Sequence, residues 1–268
     1  MVRIIFIGAG NLATHLSRNL QKSGFCIYQI LSRTEDSAKK LAQELNCNFS
    51  TDFQRIFPDA DCYFIAVNDS SISEVVENLN FTDKLMVHLS GSVSLNVLTS
   101  KCKRAGVFYP LQTFSKNKEI NFCEIPIFIE SNSEQDAEFL FQMAKTLSEN
   151  VYFLNSEKRE MLHLSAIFVN NFVNHCFTIA ENILSSQNID FQLLIPLISE
   201  TFEKILTNSP SISQTGPAKR NDKIIIEKHL TFLNNFSEIF AEVYKILSQS
   251  IQKYYEKILS DFEKPDKI

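Results

Sequence analysis

The hexapeptide Gly8-Ala9-Gly10-Asn11-Leu12-Ala13 closes the first apolar run of the chain, residues 3–8, and opens a polar, helix-like stretch over residues 11–23. A G-x-G-x-x-A at a strand-to-helix junction restricts the fold sharply. The first glycine permits a tight turn, the second leaves room for a pyrophosphate to approach the backbone, and the small third position lets helix and strand pack closely. The helix start beyond it presents free N–H groups and the positive end of its dipole to that anion. Only 6 glycines occur in 268 residues, where average usage near 7% would supply ~19. A third of them lie in this hexapeptide, so Gly8, Ala9, Gly10, Asn11 and Leu12 are the first cofactor-site candidates.

Further apolar runs rich in Ile, Val, Phe and Tyr cover residues 26–31, 62–67, 85–89, 106–109, 125–129 and 151–154. Helix-like stretches at 37–45, 71–78 and 134–147 alternate with them. Strands that are apolar throughout belong to a parallel sheet covered by helices on both faces. Residues 1–155 therefore read as an α/β Rossmann domain with a doubly wound parallel sheet. Beyond Asn155 the period changes. Leu162, Ala166, Val169, Val173, Cys176, Phe177, Ala180 and Ile183 recur at steps of three and four, which predicts one long helix. Helical stretches at 191–208, 222–234 and 237–262 complete an all-helical C-terminal domain over 156–268, and the Lys-rich tail 263–268 reads as a frayed terminus.

With 26 basic and 31 acidic side chains the net charge is −5, and no basic excess invites nucleic acid. The 44% hydrophobic content suffices for a core without metal or disulfide. The six cysteines form no C-x-x-C pair, so neither a zinc site nor a redox motif is expected. The apolar run after Met1-Val2-Arg3 is too short for a signal peptide, and no window approaches the ~18 apolar residues of a membrane span. The expectation is a cytoplasmic protein with free thiols and no membrane partner.

About 20 residues past the glycines, where a carboxylate would select NAD, the chain reads Ser32-Arg33-Thr34. Two hydroxyls and a guanidinium suit a 2′-phosphate, so NADP is favoured; Glu35 or Asp36 as the ribose partner is the alternative. The missing acid also weighs against an S-adenosylmethionine methyltransferase. Val67-Asn68-Asp69 opens a turn at the end of another strand, where it can border a nicotinamide, or Asn68 and Asp69 can simply cap a helix. Strands ending in His88-Leu89-Ser90-Gly91-Ser92 and Phe108-Tyr109-Pro110-Leu111-Gln112-Thr113 should deliver polar groups to the same sheet edge as Gly8. On the long helix, His163 and Asn170 lie seven apart and share a face with Asn174, which turns either to a cofactor cleft or to solvent or a subunit rim. His15 reads as a packing or surface histidine. Thr215-Gly216-Pro217-Ala218-Lys219-Arg220-Asn221-Asp222 reads as an anion-binding helix start or an ordinary junction.

The G-x-G-x-x-A start, the Ser-Arg-Thr strand end, the Ala66-Val67-Asn68-Asp69 turn and the helical second half resemble the 6-phosphogluconate dehydrogenase-like superfamily, which includes pyrroline-5-carboxylate reductase and prephenate dehydrogenase. The stretches at 88–92, 109–114 and 215–218 are similar to a bacterial family of Rossmann-like NADP oxidoreductases whose C-terminal domain is of unknown function. The resemblance spans essentially the whole chain. It implies a helical dimerisation and substrate domain, an active site between the domains, and no established substrate. Two positions depart from the superfamily. The Lys expected three residues before Asn170-Asn171 is Ile167, and the His-Pro pair of prephenate dehydrogenases is Tyr109-Pro110. His163 is then the best-motivated proton donor, with Asn170 and Ser90 as further catalytic candidates.

The leading expectation is an NADPH-dependent reductase that passes hydride to a small carbonyl or imine. The rivals are a non-catalytic NADP-binding sensor and a deazaflavin-dependent oxidoreductase. A homodimer is also expected. Ile167, Phe168, Phe172 and Phe177 lie on different sides of the long helix, and the last helix carries too many apolar residues, from Phe236 to Leu259, for one face. A partner subunit is the natural cover for the helices after residue 156.

Overall fold

The computed structural model describes residues 1–115 and 118–262. The 263–268 tail, expected to fray, lies outside them. The first part of the chain runs β1 (Arg3–Ile7), α1 (Asn11–Lys22), β2 (Cys26–Leu31), α2 (Glu35–Leu45), β3 (Asn48–Ser50), β4 (Cys62–Ile65), α3 (Ile72–Asn78), β5 (Leu85–His88), α4 (Asn96–Thr99), β6 (Arg104–Pro110), β7 (Ile127–Ser131), α5 (Glu134–Lys145) and β8 (Val151–Phe153). Eight strands form one sheet in the order β3-β2-β1-β4-β5-β6-β7-β8. Along β1 successive side chains face opposite ways. Ile4 and Phe6 join Leu16 and Leu20 of α1, Leu41 of α2 and Leu140 of α5 in one core layer. Ile5 and Ile7 join Ile72 and Val76 of α3 and Leu98 of α4 in the other. Both layers need apolar residues, which is why these strands read as unbroken apolar runs. Each fully buried Ile or Phe contributes ~1.5–3 kcal/mol.

The chain passes from β3 at one edge back across β1 to β4. That reversal opens a crevice at the carboxyl ends of β1 and β4, the ligand position of open α/β sheets. Sequence reading misses two elements near it. β3 has three residues, two of them exposed, and α4 is a single turn. The sheet is also not parallel throughout, because β7 pairs antiparallel with β6. An antiparallel neighbour needs no crossover helix, and among the described residues none lies between β6 and β7.

The second half begins with α6 (Ser156–Ala166), whose winding loosens to a π-helix over Ile167–Phe172 and tightens again in α7 (Val173–Ser185). The expected long helix is therefore continuous but not uniform. Residues seven apart share a face only on an α-helix, so the predicted alignment of His163 with Asn170 does not carry across the π-wound segment. Then come α8 (Ile195–Thr207), the one-turn α9 (Pro210–Ser213), α10 (Lys223–Phe236) and α11 (Glu238–Phe262). The chain divides into two compact units, Met1–Asn171 and Phe172–Ile268. Within the second, the 215–222 segment is a capped junction. Asp222 accepts the Ile225 N–H at 3.3 Å, and Lys219 donates to the Gln214 carbonyl at 2.8 Å while lying over the Tyr255 ring.

In the first unit, α6 is held by a fully buried arginine. Arg159 is 0% exposed and pairs with Glu130 of β7. Its guanidinium also donates to the Val93 carbonyl at 2.5 Å and to Ser156 Oγ at 3.2 Å. Glu130 accepts from the Ser156 N–H and hydroxyl at 2.9 Å, and Ser156 Oγ accepts the Leu95 N–H. One buried pair thus joins β7, the first turn of α6 and the loop after β5. Removing one partner of such a pair leaves the other charge uncompensated and costs ~3–5 kcal/mol. Arg159→Met should lower unfolding free energy in urea by about that amount; a loss within ~0.5 kcal/mol, typical of surface substitutions, would show that the pair anchors nothing.

Candidate functional site

Gly8 and Gly10 are required for different reasons. Gly8 has φ +122°, and a Cβ on it would lie 2.1 Å from the Ala66 carbonyl oxygen at the end of β4. Its N–H donates to the Leu31 carbonyl at 2.7 Å, which closes the turn. Gly10, at the start of α1, is extended, and a Cβ there would meet nothing within 4 Å. Packing therefore explains Gly8, whereas open space stands in front of Gly10. The first helical bond of α1 runs from the Thr14 N–H to the Gly10 carbonyl. The N–H groups of Asn11, Leu12 and Ala13 thus have no carbonyl one turn back, as an anion site at a helix start requires.

Two cavities meet at this point. One of about 300 Å³ is lined by Gly8, Ala9 and Gly10, by Ser32 and Arg33 at the end of β2, and by Val67 and Asn68 after β4. Ser71, Glu74 and Asn78 of the segment after β4 also line it, as do Ser37, Thr51 and Phe53. The latter two follow β3, the strand that sequence reading misses, and no sequence motif marks them. Neither Glu35 nor Asp36 lines this cavity; Asp36 borders a separate depression with Arg18 and Lys40. Thr34 is exposed at the start of α2 and makes no side-chain cap bond. The second cavity, about 200 Å³, lies between Gly10, Asn11, Leu12, Val67, Asn68, Asp69 and Ser90. The Asn11 side chain there donates to the Phe114 carbonyl at 2.7 Å. His15 is buried, and its Nε2 lies 2.9 Å from the Ser115 carbonyl. A carbonyl only accepts, so Nε2 carries the proton, and the loop after β6 is tied to the first turns of α1.

The ends of β5 and β6 bring further polar groups to the same edge. His88 is fully buried, and its Nδ1 accepts the Ser90 N–H at 3.2 Å. Burial, reinforced by the charge of Arg159, drives its pKa down to about 3, so it is a neutral, fixed acceptor. Ser90 Oγ accepts the N–H groups of Ser92 at 3.1 Å and Val93 at 3.0 Å. With both lone pairs engaged, the Ser90 hydroxyl can act only as a donor, and among the described residues the acceptor within its reach is Ser92 Oγ at 3.5 Å. Ser92 in turn donates to the Asp69 carboxylate at 2.5 Å. From β6, the Tyr109 hydroxyl lies 3.0 Å from His163 Nδ1. Burial, with the Asp69 charge adding to it, raises the Tyr109 pKa to about 12, so the phenol stays protonated. Asn170 is exposed on the π-wound segment. Among the described residues there is no metal-binding group of His, Cys, Asp or Glu and no helix long and apolar enough to cross a membrane.

Residues 3–90 match the family model described as "NADP oxidoreductase coenzyme F420-dependent", and residues 125–251 match the "Domain of unknown function (DUF2520)". A crystal structure from Bacteroides fragilis, of a "putative NADP oxidoreductase", is 42% identical with a TM-score of 0.86, over 94% of this chain and 98% of that one. This chain belongs to that family, in which a Rossmann NADP oxidoreductase domain precedes a DUF2520 domain. A Thermotoga maritima protein shares the fold at 22% identity and a TM-score of 0.74, over 93% of this chain and 99% of that one. An imine reductase from Myxococcus stipitatus in complex with NADP+ shares it at 13% identity and a TM-score of 0.62, over 97% of this chain and 94% of that one. Among functionally curated proteins, none matches.

The two glycines give opposite expectations. Gly10→Val should fold as the parent does, by circular dichroism and melting, yet lose NADPH binding in a calorimetric titration, because its side chain enters the space beside the helix start. Gly8→Ala should fail to fold natively, since its methyl group meets backbone. Normal NADPH binding by a folded Gly10→Val protein would refute the assignment of that space to a dinucleotide.

Proposed function

We propose that this chain is an NADPH-dependent reductase acting on a small carbonyl or imine. The single observation that carries the reading is the open space at Gly10, set between free helix N–H groups on one side and Ser32 with Arg33 on the other. The residues fit a dinucleotide phosphate. Gly8, Ala9, Gly10, Asn11 and Leu12 would cradle the pyrophosphate through backbone N–H groups. Ser32, Arg33 and Thr34 would take the 2′-phosphate, and Val67, Asn68 and Asp69 would border the nicotinamide end. When bound, the nicotinamide supplies the hydride. The nicotinamide cofactors held by the imine reductase and by a reductase-fold neighbour, the reductive aminase of Aspergillus terreus with NADPH and ethyl levulinate, support this choice.

The chain's own work is to orient and to move a proton. The Ser90 hydroxyl, whose acceptor among the described residues is Ser92 Oγ at a long 3.5 Å, would donate instead to an oxygen or nitrogen placed in the smaller cavity. His163 would supply the proton through Nε2. The six free cysteines fit a reducing, cytoplasmic setting. The second unit supports a homodimer, since Leu193, Leu197, Leu206, Ile224 and Ile246 are all exposed in the single chain, and so large an apolar display needs a cover. Light scattering at micromolar concentration should report twice the 30.7 kDa chain mass; a mass near one chain would overturn the dimer.

The test of the reductase is paired. NADPH should bind at least about tenfold tighter than NADH, the equivalent of ~1.4 kcal/mol, and Arg33→Ala should remove the preference. His163→Asn should slow NADPH oxidation with a panel of small cyclic imines and ketones by about 100-fold or more, with NADPH affinity unchanged. NADPH binding without turnover on the panel would favour the sensor, and tighter binding of F420 than of NADPH would favour the deazaflavin enzyme.

A further inference from the structure

Beside Gly91 stands a tyrosine whose role no motif announces. Tyr109 is buried, and among the described residues its hydroxyl has one hydrogen-bond partner, Nδ1 of His163 at 3.0 Å. The two rings meet edge to face, with centroids 6.0 Å apart at 71°. His163 is half-buried, and its Nε2 makes no hydrogen bond among the described residues. A third residue closes the arrangement. A Cβ on Gly91 would lie 2.6 Å from Tyr109 Cζ, 2.8 Å from its hydroxyl oxygen and 2.7 Å from His163 Nδ1. The φ of Gly91 is not in the left-handed region, so its backbone makes no demand for glycine. What demands it is the volume that the Tyr–His pair occupies.

The hydrogen-bond inventory then decides which nitrogen holds the proton. A phenol O–H without another acceptor donates to the one beside it, because a buried donor left unmade is costly. Nδ1 of the neutral imidazole must therefore be bare, and Nε2 must carry the hydrogen. We propose that Tyr109 is a positioning residue that holds His163 in the Nε2–H tautomer, and that Gly91 is glycine so that this pair can form. The proposal deepens the reading of His163 as proton donor and rests on it for its catalytic meaning. The proton is then presented on Nε2, the nitrogen that makes no contact with Tyr109. Four residues before His163, Arg159 fixes the same helix, so α6 is held to the sheet at two successive turns.

The experiment is long-range proton–nitrogen NMR on the nitrogen-15-labelled full chain, at a pH above the imidazole titration, with the His163 signals assigned by their loss in His163→Asn. Wild type should show about a tenfold or greater excess of the Nε2–H tautomer, as one buried hydrogen bond can impose. Tyr109→Phe and Gly91→Ala should each reduce that excess by about fivefold while NADPH titration stays as in wild type. A dominant Nδ1–H tautomer in wild type would overturn the proposal, as would an unchanged excess in both variants. Should neither variant fold, the wild-type spectrum decides alone. Undiminished NADPH oxidation by His163→Asn would count against the proton-donor reading without touching the tautomer result, so the two failures are distinguishable.

Discussion

A buried guanidinium must be answered, and much of the first unit is arranged around the answer to Arg159. Its charge meets Glu130, and its second terminal nitrogen donates to the Val93 carbonyl and Ser156 Oγ, while Nε is buried with no hydrogen-bond partner among the described residues. Those partners come from a strand, a loop and a helix start that are far apart in sequence. Because a buried charge that loses its partner is costly, the pair ties the 90–95 loop and the first turn of α6 to β7. The same charge also reaches His88, where burial and Arg159 together keep the imidazole neutral.

From that anchor the polar edge follows. With the Val93 carbonyl held, the turn at Ser90 can fold onto itself, the serine oxygen accepting two N–H groups and its proton left to donate. With α6 held at Arg159, His163 arrives one turn later beside Tyr109. Gly91 lies between these two contacts and has no room for a side chain. These contacts join a strand, a loop and a helix of the first unit at one place.

The family match and the fold agree on an NADP oxidoreductase framework. At the end of β6, Tyr109 holds His163 of α6 by a hydrogen bond of 3.0 Å. In the second unit, helices apolar on several faces leave Leu193, Leu197, Leu206, Ile224 and Ile246 exposed.

How much was legible in the sequence depends on range. The strands at 3–7, 26–31 and 62–65, their helices and the glycine turn could be read directly, because apolar runs, helical periodicity and a G-x-G-x-x-A junction are local signals. Ser32, Arg33, Val67 and Asn68 could be placed because a parallel sheet sends every strand end to one edge. β3, the antiparallel turn of β7 and the π winding of Ile167–Phe172 were not legible, since they depend on pairing partners and on how a helix is strained by its neighbours. Arg159 looked like any charged residue on a helix, and Tyr109 like part of a motif without a role. Only the tertiary structure decided that one is buried against Glu130 and the other against His163, because burial and hydrogen-bond partnership are properties of distant segments brought together, and no spacing along the chain records them.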